Sequence, residues 1–531
     1  MTWELNHERT ITHRTMLSRS FTPIVYAQNF KGVNAKDSYL NVAEGEWSEN
    51  SINIFSDPQG SLGSRPGYTA LTTASIGSVT AWCGFYQLDV HSGGSTTSSY
   101  FGLTSDGKLY KYASNAYTQL YTGLDATDDD DTRMSAFQLD NMAIIATGRN
   151  TALTYTGSGS AATFATSITA DWGLEWQRYG WLHSTIDPRL IYYCTTLGDP
   201  DSAYTSFVNF DDDPGALTGA CKQGDDMLVG KEFALFRVQY RGTTPLFKKY
   251  RIPSKVGPVC HWVLKEIPDG RAIFLSPDCN FYMVNGDSVI PCGENIQPYM
   301  KDGVKVRLKY AVAGLLLNRS QYWCSFTYTS GVTQNDRTVV MDWSRPYQDF
   351  WGKIQYPWFI YSIGANCFAE VTVSGQALLY HGGYVGKMHK DDTATNDDGS
   401  TFSSLYASPE RAHGDSTIEK KYTHIQLNYA RQGDWDLNIQ TICDRNAITE
   451  KLITENMLSG SGVTTLWNNF NWDEANWSAE SDADRVREIG RQGKTIELNM
   501  SCSGLDQTWL IKNFALMAKA LRRTIRSRES A

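Results

Sequence analysis

The sequence predicts an all-β chain: a β-propeller of about six or seven blades, a C-terminal β-sandwich-like domain and an N-terminal arm. Three observations predict it. The first is composition, with 29 Tyr, 16 Trp, 21 Phe and 44 Gly in 531 residues. Aromatic side chains fit pleated, half-buried surfaces, and glycine fits tight turns. The second is a phrase that recurs between about residues 75 and 395: an apolar strand, a short turn, and a second strand ending on an aromatic or basic residue. Its copies lie at 100–112, 143–155, 227–238, 272–284 and 377–388. Turn centres at 106, 149, 231, 278 and 382 leave gaps of 43, 82, 47 and 104. These read as one, two, one and two units of about 40 to 50 residues, the period of a four-stranded blade. Residues 189–194 with 206–210 fill the first double gap, and 321–328 with 337–343 fill the second. A β-sandwich array also repeats hairpins, but less regularly. The third observation is the alternation at 424–429, 435–439 and 495–500, closed by 509–518, which reads as a small sandwich.

In chain order the expected organisation is an N-terminal arm (1–28), a segment packing on the propeller or a platform (29–74), the propeller (75–395), a linker (396–420) and the sandwich with a basic tail (421–531). A chain of this length is expected to form two to four domains. The arm carries Trp3, Leu5, Ile11, Met16 and Leu17 among polar residues, as in a short helix or a segment that orders on a partner. Its start lacks an apolar core, so no secretory signal is expected. No run of 18 apolar residues occurs, so no membrane-spanning helix is expected; the most apolar stretch is 311–317.

The net charge of −9 argues against a general basic surface for nucleic acid. Acidic runs at 128–131, 211–213, 391–392 and 397–398 read as solvated loops. They lack the alternating spacing and terminal Glu of a calcium loop. Basic residues gather at Lys519, Arg522, Arg523, Arg526 and Arg528, as a solvated tail or a contact to an acidic neighbour or DNA. The ten cysteines are no closer than 13 residues apart, which excludes a CxxC site and fits reduced, buried thiols.

Residues 29–68 have a fixed order of pieces. A turn at Gly32, Val33 and Asn34 leads to Asp37 and Ser38. An acidic and Asn-rich clause follows, containing Glu46, Asn50 and Asn53. The segment closes with a β-turn, Asp57-Pro58-Gln59-Gly60, then Leu62, then Arg65-Pro66-Gly67-Tyr68. A plain hairpin between an arm and a domain would need similar residues. The order, however, resembles the N-terminal signature of the β-propeller tail nozzle (tail tubular protein B) family of short-tailed bacteriophages. The matching positions are Gly32, Asn34, Asp37, Ser38, Glu46, Asn50, Asn53, Gly60, Leu62, Arg65, Pro66, Gly67 and Tyr68. Tyr39 departs from it, standing where a Pro is usual. A propeller followed by a C-terminal sandwich resembles that family too, although the family's long tip insertions are absent or short here.

The resemblance implies a virion structural protein assembled in the host cytoplasm, with no enzymatic activity and no cofactor. It implies a homo-oligomeric ring, six-fold, below the tail adaptor and portal, with tail fibres or spikes as further partners. Double-stranded DNA would pass through the channel without sequence-specific binding. The residues given an assembly role are Gly32, Asn34, Asp37, Asn53, Gly60, Leu62, Arg65, Pro66, Gly67 and Tyr68.

No catalytic or metal constellation stands out in the sequence itself. HExxH, HxH, GxSxG and GxxxxGK[ST] are all absent. His381 and His389 flank a glycine hairpin, and a plain hairpin accounts for them. Gly157-Ser158-Gly159-Ser160 and Gly460-Ser461-Gly462 read as flexible loops. Thr104-Ser105-Asp106-Gly107 lacks the spacing and trailing aromatic of a sialidase Asp-box and reads as a hairpin turn. The alternatives are a receptor-binding tail protein with a carbohydrate-binding propeller and, further off, a propeller hydrolase with carboxylates paired across a cleft.

Overall fold

In the computed structural model, residues 22–26, 29–38, 41–73, 75–76, 81–124, 131–164, 168–457 and 482–521 are described. The expectations for Tyr39, for the apolar set of the arm, for 128–130, for 460–462 and for the four arginines of the tail lie outside these residues.

The chain divides into two units. One contains residues 66–346 and 361–398, and the other contains 1–65, 347–360 and 399–531. The first is a β-propeller of seven blades. Blade 1 runs from Trp82–Ser92 outward through Ser95–Thr104, Leu109–Ala113 and Ala116–Tyr121. Blade 2 begins at Ser135–Leu139, blade 3 at Ala170–Trp176, blade 4 at Leu217–Gln223 and blade 5 at Lys265–Glu266. Blade 6 contributes Val312–Leu316, Gln321–Phe326 and Arg337–Asp342 within this unit. Blade 7 orders Cys367–Val373, Gln376–Gly382, Met388–Ala394 and, outermost, the early strand Gly67–Ala70. The innermost strands touch in sequence, and that of blade 7 returns against that of blade 1, which closes the ring.

The strands form where the alternation places apolar side chains between blades. Phe137, Ile144, Trp172, Trp181, Met227 and Phe236 belong to one buried cluster running from blade 2 to blade 4. Within the expected stretch at 311–317, Val312–Leu316 becomes the innermost strand of blade 6, buried along its whole length, while Leu317 turns outward and is exposed.

The five recurring phrases all form the hairpin between second and third strands of their blades, as does 321–328 with 337–343. The filler at 189–210 is one hairpin late. In blade 3 the equivalent pair is Tyr179–Ser184 with Leu190–Tyr193, joined by five residues that turn on Asp187-Pro188 without the glycine that marks most of the other copies.

The second unit is a sandwich of two antiparallel sheets. One orders Ser404–Ala407, Ile496–Cys502, Asp436–Cys443 and Asn446–Asn456. The other runs Ile54–Ser56, Leu62–Ser64, Leu510–Ala520, Lys420–Ala430 and Asp482–Gly493, with Thr22–Tyr26 also paired to Leu510–Ala520.

Three expected boundaries therefore differ. Residues 22–26 form a strand of this sheet rather than part of a free arm. Residues 29–65 belong with the sandwich, and the propeller starts at 66 rather than 75. The expected linker contains Ser404–Ala407, whose backbone pairs with Ile496–Cys502. The interior of this unit is aromatic: Trp47 stacks on Phe359 at 5.9 Å and meets Tyr406 edge-on at 6.2 Å, while Phe30 lies 6.0 Å from Phe514.

All ten cysteines are buried and free. Burial pushes the Cys260 and Cys367 thiols up to about 12, so they are protonated and unreactive near neutral pH.

Candidate functional site

The signature segment builds a polar network inside the sandwich unit. Gly32 has φ +105°, and a Cβ there would sit 2.6 Å from the backbone nitrogen of Trp358, so only glycine fits. Asn34 Oδ1 accepts from the backbone nitrogens of Lys36 and Asp37, both at 3.0 Å, which fixes the turn. Its Nδ2 donates to Glu46 Oε2 at 2.7 Å and to Asp37 Oδ2 at 3.0 Å. Glu46, 1% exposed, also accepts from Ala43 N at 2.9 Å and from the Tyr347 hydroxyl at 2.8 Å. A carboxylate with these donors is the hub of the first half.

The second half turns on Asn53 and Arg65. Asn53 adopts φ 57°, which Asn tolerates better than most residues. Its Oδ1 accepts from Arg65 Nε at 2.8 Å, its Nδ2 donates to Ser403 O at 2.7 Å, and its carbonyl accepts from Arg65 N at 2.9 Å. The Arg65 guanidinium, fully buried, also lies 4.1 Å over the Phe402 ring. Gly60 closes its turn at φ +82°, with Asp57 Oδ1 accepting from Ser61 N at 2.7 Å. Leu62 is fully buried on the strand paired with Ile511. Asn50, by contrast, is exposed.

Pro66, Gly67 and Tyr68 belong to the propeller unit. Gly67 begins the closing strand, and a Cβ there would lie 1.8 Å from Asn396 O. The Tyr68 ring stands edge-on to both His381 and His389, at 4.8 Å from each. The structure thus divides the assembly residues between the two units, and most of them are buried.

The expected acidic loops are better paired than solvated runs. Asp212 and Asp213 form ion pairs with Lys249 and Arg251, each at 2.6 Å. Asp391 and Asp392 stand on the blade 7 strand Met388–Ala394. Asp391 is 2% exposed and accepts from His381 Nδ1 at 2.7 Å. Thr104-Ser105-Asp106-Gly107 is a hairpin turn, with Thr104 Oγ1 donating to Asp106 Oδ1 at 2.6 Å. Among the described residues, no group of three or more His, Cys, Asp or Glu is placed to hold a metal.

His389 stacks on His381 at 4.8 Å, and burial pushes it down to about 3, with the neighbouring His381 adding to the shift. A histidine that charges in the unfolded chain but not in the folded one costs stability as pH falls from about 6.5 toward 3. Between pH 7 and 5 the wild type is expected to lose about 2 kcal/mol more than His389→Gln. Urea titrations of both chains at the two pH values measure this, and equal losses would place the acid sensitivity elsewhere.

The axis of the propeller holds a feature that sequence reasoning missed. A 3-10 turn, His261–Val263, reaches across the ring. His261 stacks on Trp172 of blade 3 at 5.1 Å, and Trp172 stacks in turn on His183 at 4.7 Å. Ala220 N of blade 4 donates to His261 Nδ1 at 3.4 Å, and the Tyr322 hydroxyl of blade 6 donates to Val263 O at 2.6 Å. Beside this turn lies a cavity of about 240 Å³, walled by blades 1, 2, 5, 6 and 7. Its contributors come from distant parts of the chain, so no local pattern marks it.

No family model matches the chain, and no curated protein matches it. Solved structures do match. One, titled "YCF48 bound to D1 peptide", is similar over 62% of this chain and 98% of its own, at 12% identity and a TM-score of 0.36.

Proposed function

We propose that the chain is a structural subunit of a virion tail, a nozzle that rings the exit path of the genome below the portal and adaptor. The order of residues in the 29–68 segment carries this reading, through its resemblance to the nozzle signature. The buried positions of Glu46, Asn53, Arg65 and Gly67 support it, because they give the signature an architectural use in both units. Six copies would close into a ring by heterologous contacts. Duplex DNA would run between copies: the propeller's own axis is crossed by His261–Val263, and its 240 Å³ cavity is far too small for a helix whose major groove alone is about 12 Å wide. The net charge of −9 suits a wall that phosphate must pass without sticking.

Solution mass and negative-stain imaging test the proposal. Rings with a central channel, formed alone or on added portal and adaptor, are the expected result. A chain that stays monomeric and never joins the tail would overturn it.

One observation favours carbohydrate binding, although on the sandwich unit and not on the propeller. In the sandwich unit, Tyr347–Gln348 and Ile354–Gln355 form a hairpin whose tip exposes Phe350 and Trp351, at 57% and 58%. Asp349 holds the tip rigid, accepting from Trp351 N and Lys353 N at 2.9 Å each. If this tip stacks on sugar rings, glycan-array binding is expected to fall at least tenfold in Trp351→Ala. Absence of glycan binding by the native chain would end that reading.

A further inference from the structure

We propose that the sandwich unit binds a second copy of this chain through a knob and a groove: the hairpin tip with Phe350, Trp351 and Ile354 seats between residues 34–50 and the strand Asp436–Cys443 of its neighbour. Such a seat would be a contact from which the ring proposed above is built, and it rests on that reading. The knob is shaped before it binds. Besides its bonds to Trp351 N and Lys353 N, the Asp349 side chain accepts from Gln355 Nε2 at 3.3 Å, and Asp349 N donates to Lys353 O at 2.9 Å. Gly352 makes the turn at φ +77°. The Phe350 and Trp351 rings brace each other edge-on at 5.1 Å, and Ile354 beside them is 63% exposed. A tip held in this way loses little conformational freedom on docking. Aromatic side chains present about 150 to 250 Å² each, so the tip shows on the order of a few hundred Å² of apolar surface, the scale of a contact patch. Tryptophan is the residue that most often anchors such contacts by filling a pocket on the partner.

The groove lies on the same unit and has a volume of about 560 Å³, within the range that takes a drug-sized group. Its apolar lining is Val42, Pro409 and Ile442, the last half-exposed on the outward side of Asp436–Cys443. Its charge is mainly acidic. Arg445, the one cation of the lining, pairs with Glu410, and Asp37, Glu49 and Glu497 are the other carboxylates. The exposed charge of the knob is the cation Lys353. Knob and groove therefore match in both respects, apolar against apolar and cation against carboxylates. The tip stands in solvent on its own copy and the groove is open, so a second copy can serve both. Each copy carries one of each, so the contact can pass from copy to copy, the heterologous arrangement that closes into rings. A standard interface takes about 800 Å² from each partner, so the knob would anchor a wider contact. Once seated, Trp351 would have no face left for a sugar ring.

The test uses the full chain, alone or with portal and adaptor as the native chain requires, and reads association by sedimentation and negative-stain imaging. Trp351→Ala and Ile442→Glu, each shown to be folded by circular dichroism, should raise the concentration needed for association at least tenfold. Lys353→Glu and Glu497→Lys should each weaken it several-fold. The chain carrying both should regain most of the loss, because the charges are exchanged across the contact. That exchange is the readout if Ile442→Glu fails to fold. Association unchanged in a folded Trp351→Ala and in both single charge variants would overturn the inference and leave the ring reading standing. Pairs of copies that depend on Trp351 but never close would keep the contact and remove the ring. A native chain that stays monomeric and never joins the tail would overturn both.

Discussion

Replacing Glu46 by alanine is expected to destabilise the sandwich unit by about 4 kcal/mol. The substitution removes the acceptor that the Asn34 amide, the Ala43 N–H and the Tyr347 hydroxyl share. Each buried donor deprived of its acceptor costs about 1 to 3 kcal/mol, more than the net gain of forming the bond. The loss reaches two separate stretches, since Asn34 shapes the turn at 34–37 and Tyr347 starts the hairpin that carries Trp351. Glu46→Gln keeps the shape but turns an amino group toward one of the donors, so an intermediate loss is expected. Urea unfolding of the three chains measures both. A Glu46→Ala chain within about 1 kcal/mol of wild type would show that the network is geometric and carries little energy.

The second large effect is expected at Gly67. An alanine Cβ there would lie 1.8 Å from Asn396 O and 2.4 Å from its carbonyl carbon. Both are backbone atoms, so no side-chain rotation relieves the overlap. The closing strand pairs Gly67 with Ala394, Thr69 with Lys390 and Ala70 with His389, and the chain continues into Tyr68 against the two histidines. Gly67→Ala must push this strand off the edge of blade 7, with an expected loss of about 3 kcal/mol or more. Limited trypsin digestion should then cut at Lys387 and Lys390 well before the wild type is cut. Gly383→Ala in the same blade is the control. Its Cβ meets only His389 Cε1, at 4.0 Å, so it should behave as wild type. Equal protease resistance of Gly67→Ala and wild type would mean that the strand re-registers without cost.

Much of the propeller was legible because the middle hairpin of each blade is local. Its two strands and its turn lie close together in the sequence, so the repeat shows wherever glycine or a Pro-Asp pair marks the turn. Blade 3 shows the limit. Its Gln177-Arg178 turn takes φ 54° and 60° without glycine, and the next connection lacks glycine as well. The sandwich strands at 424–429, 435–439, 495–500 and 509–518 were also legible in the sequence, whereas Asn446–Asn456 and Asp482–Gly493 were not read from it. What stayed hidden depends on residues far apart in the chain. The burial of the Ser51 hydroxyl has no local explanation until it is seen donating to Ala407 O at 3.2 Å, and nothing in 404–407 announces a strand. The polar run that ends at Ser400 makes the stretch after it read as a linker, although Ser404–Ala407 pairs with Ile496–Cys502. The assembly residues were visible as an ordered phrase, but their use was not. Glu46, the hub of their network, gained its meaning only with Tyr347 beside it.

Blade 7 is finished by a strand that the ribosome makes before any of the others in the propeller. Gly67–Ala70 must wait for Met388–Ala394, more than three hundred residues later, before it finds its edge. The sandwich waits longer still, because Leu62–Ser64 pairs with Leu510–Ala520. Neither unit can be completed until most of the chain has been translated, so vectorial folding from the N-terminus is barred to both. Such sequence-distant pairing is slow and leaves bare strand edges in the meantime. The nascent chain therefore has a long interval in which those edges can pair with another copy, and its yield should depend on chaperone supply and on the rate of synthesis.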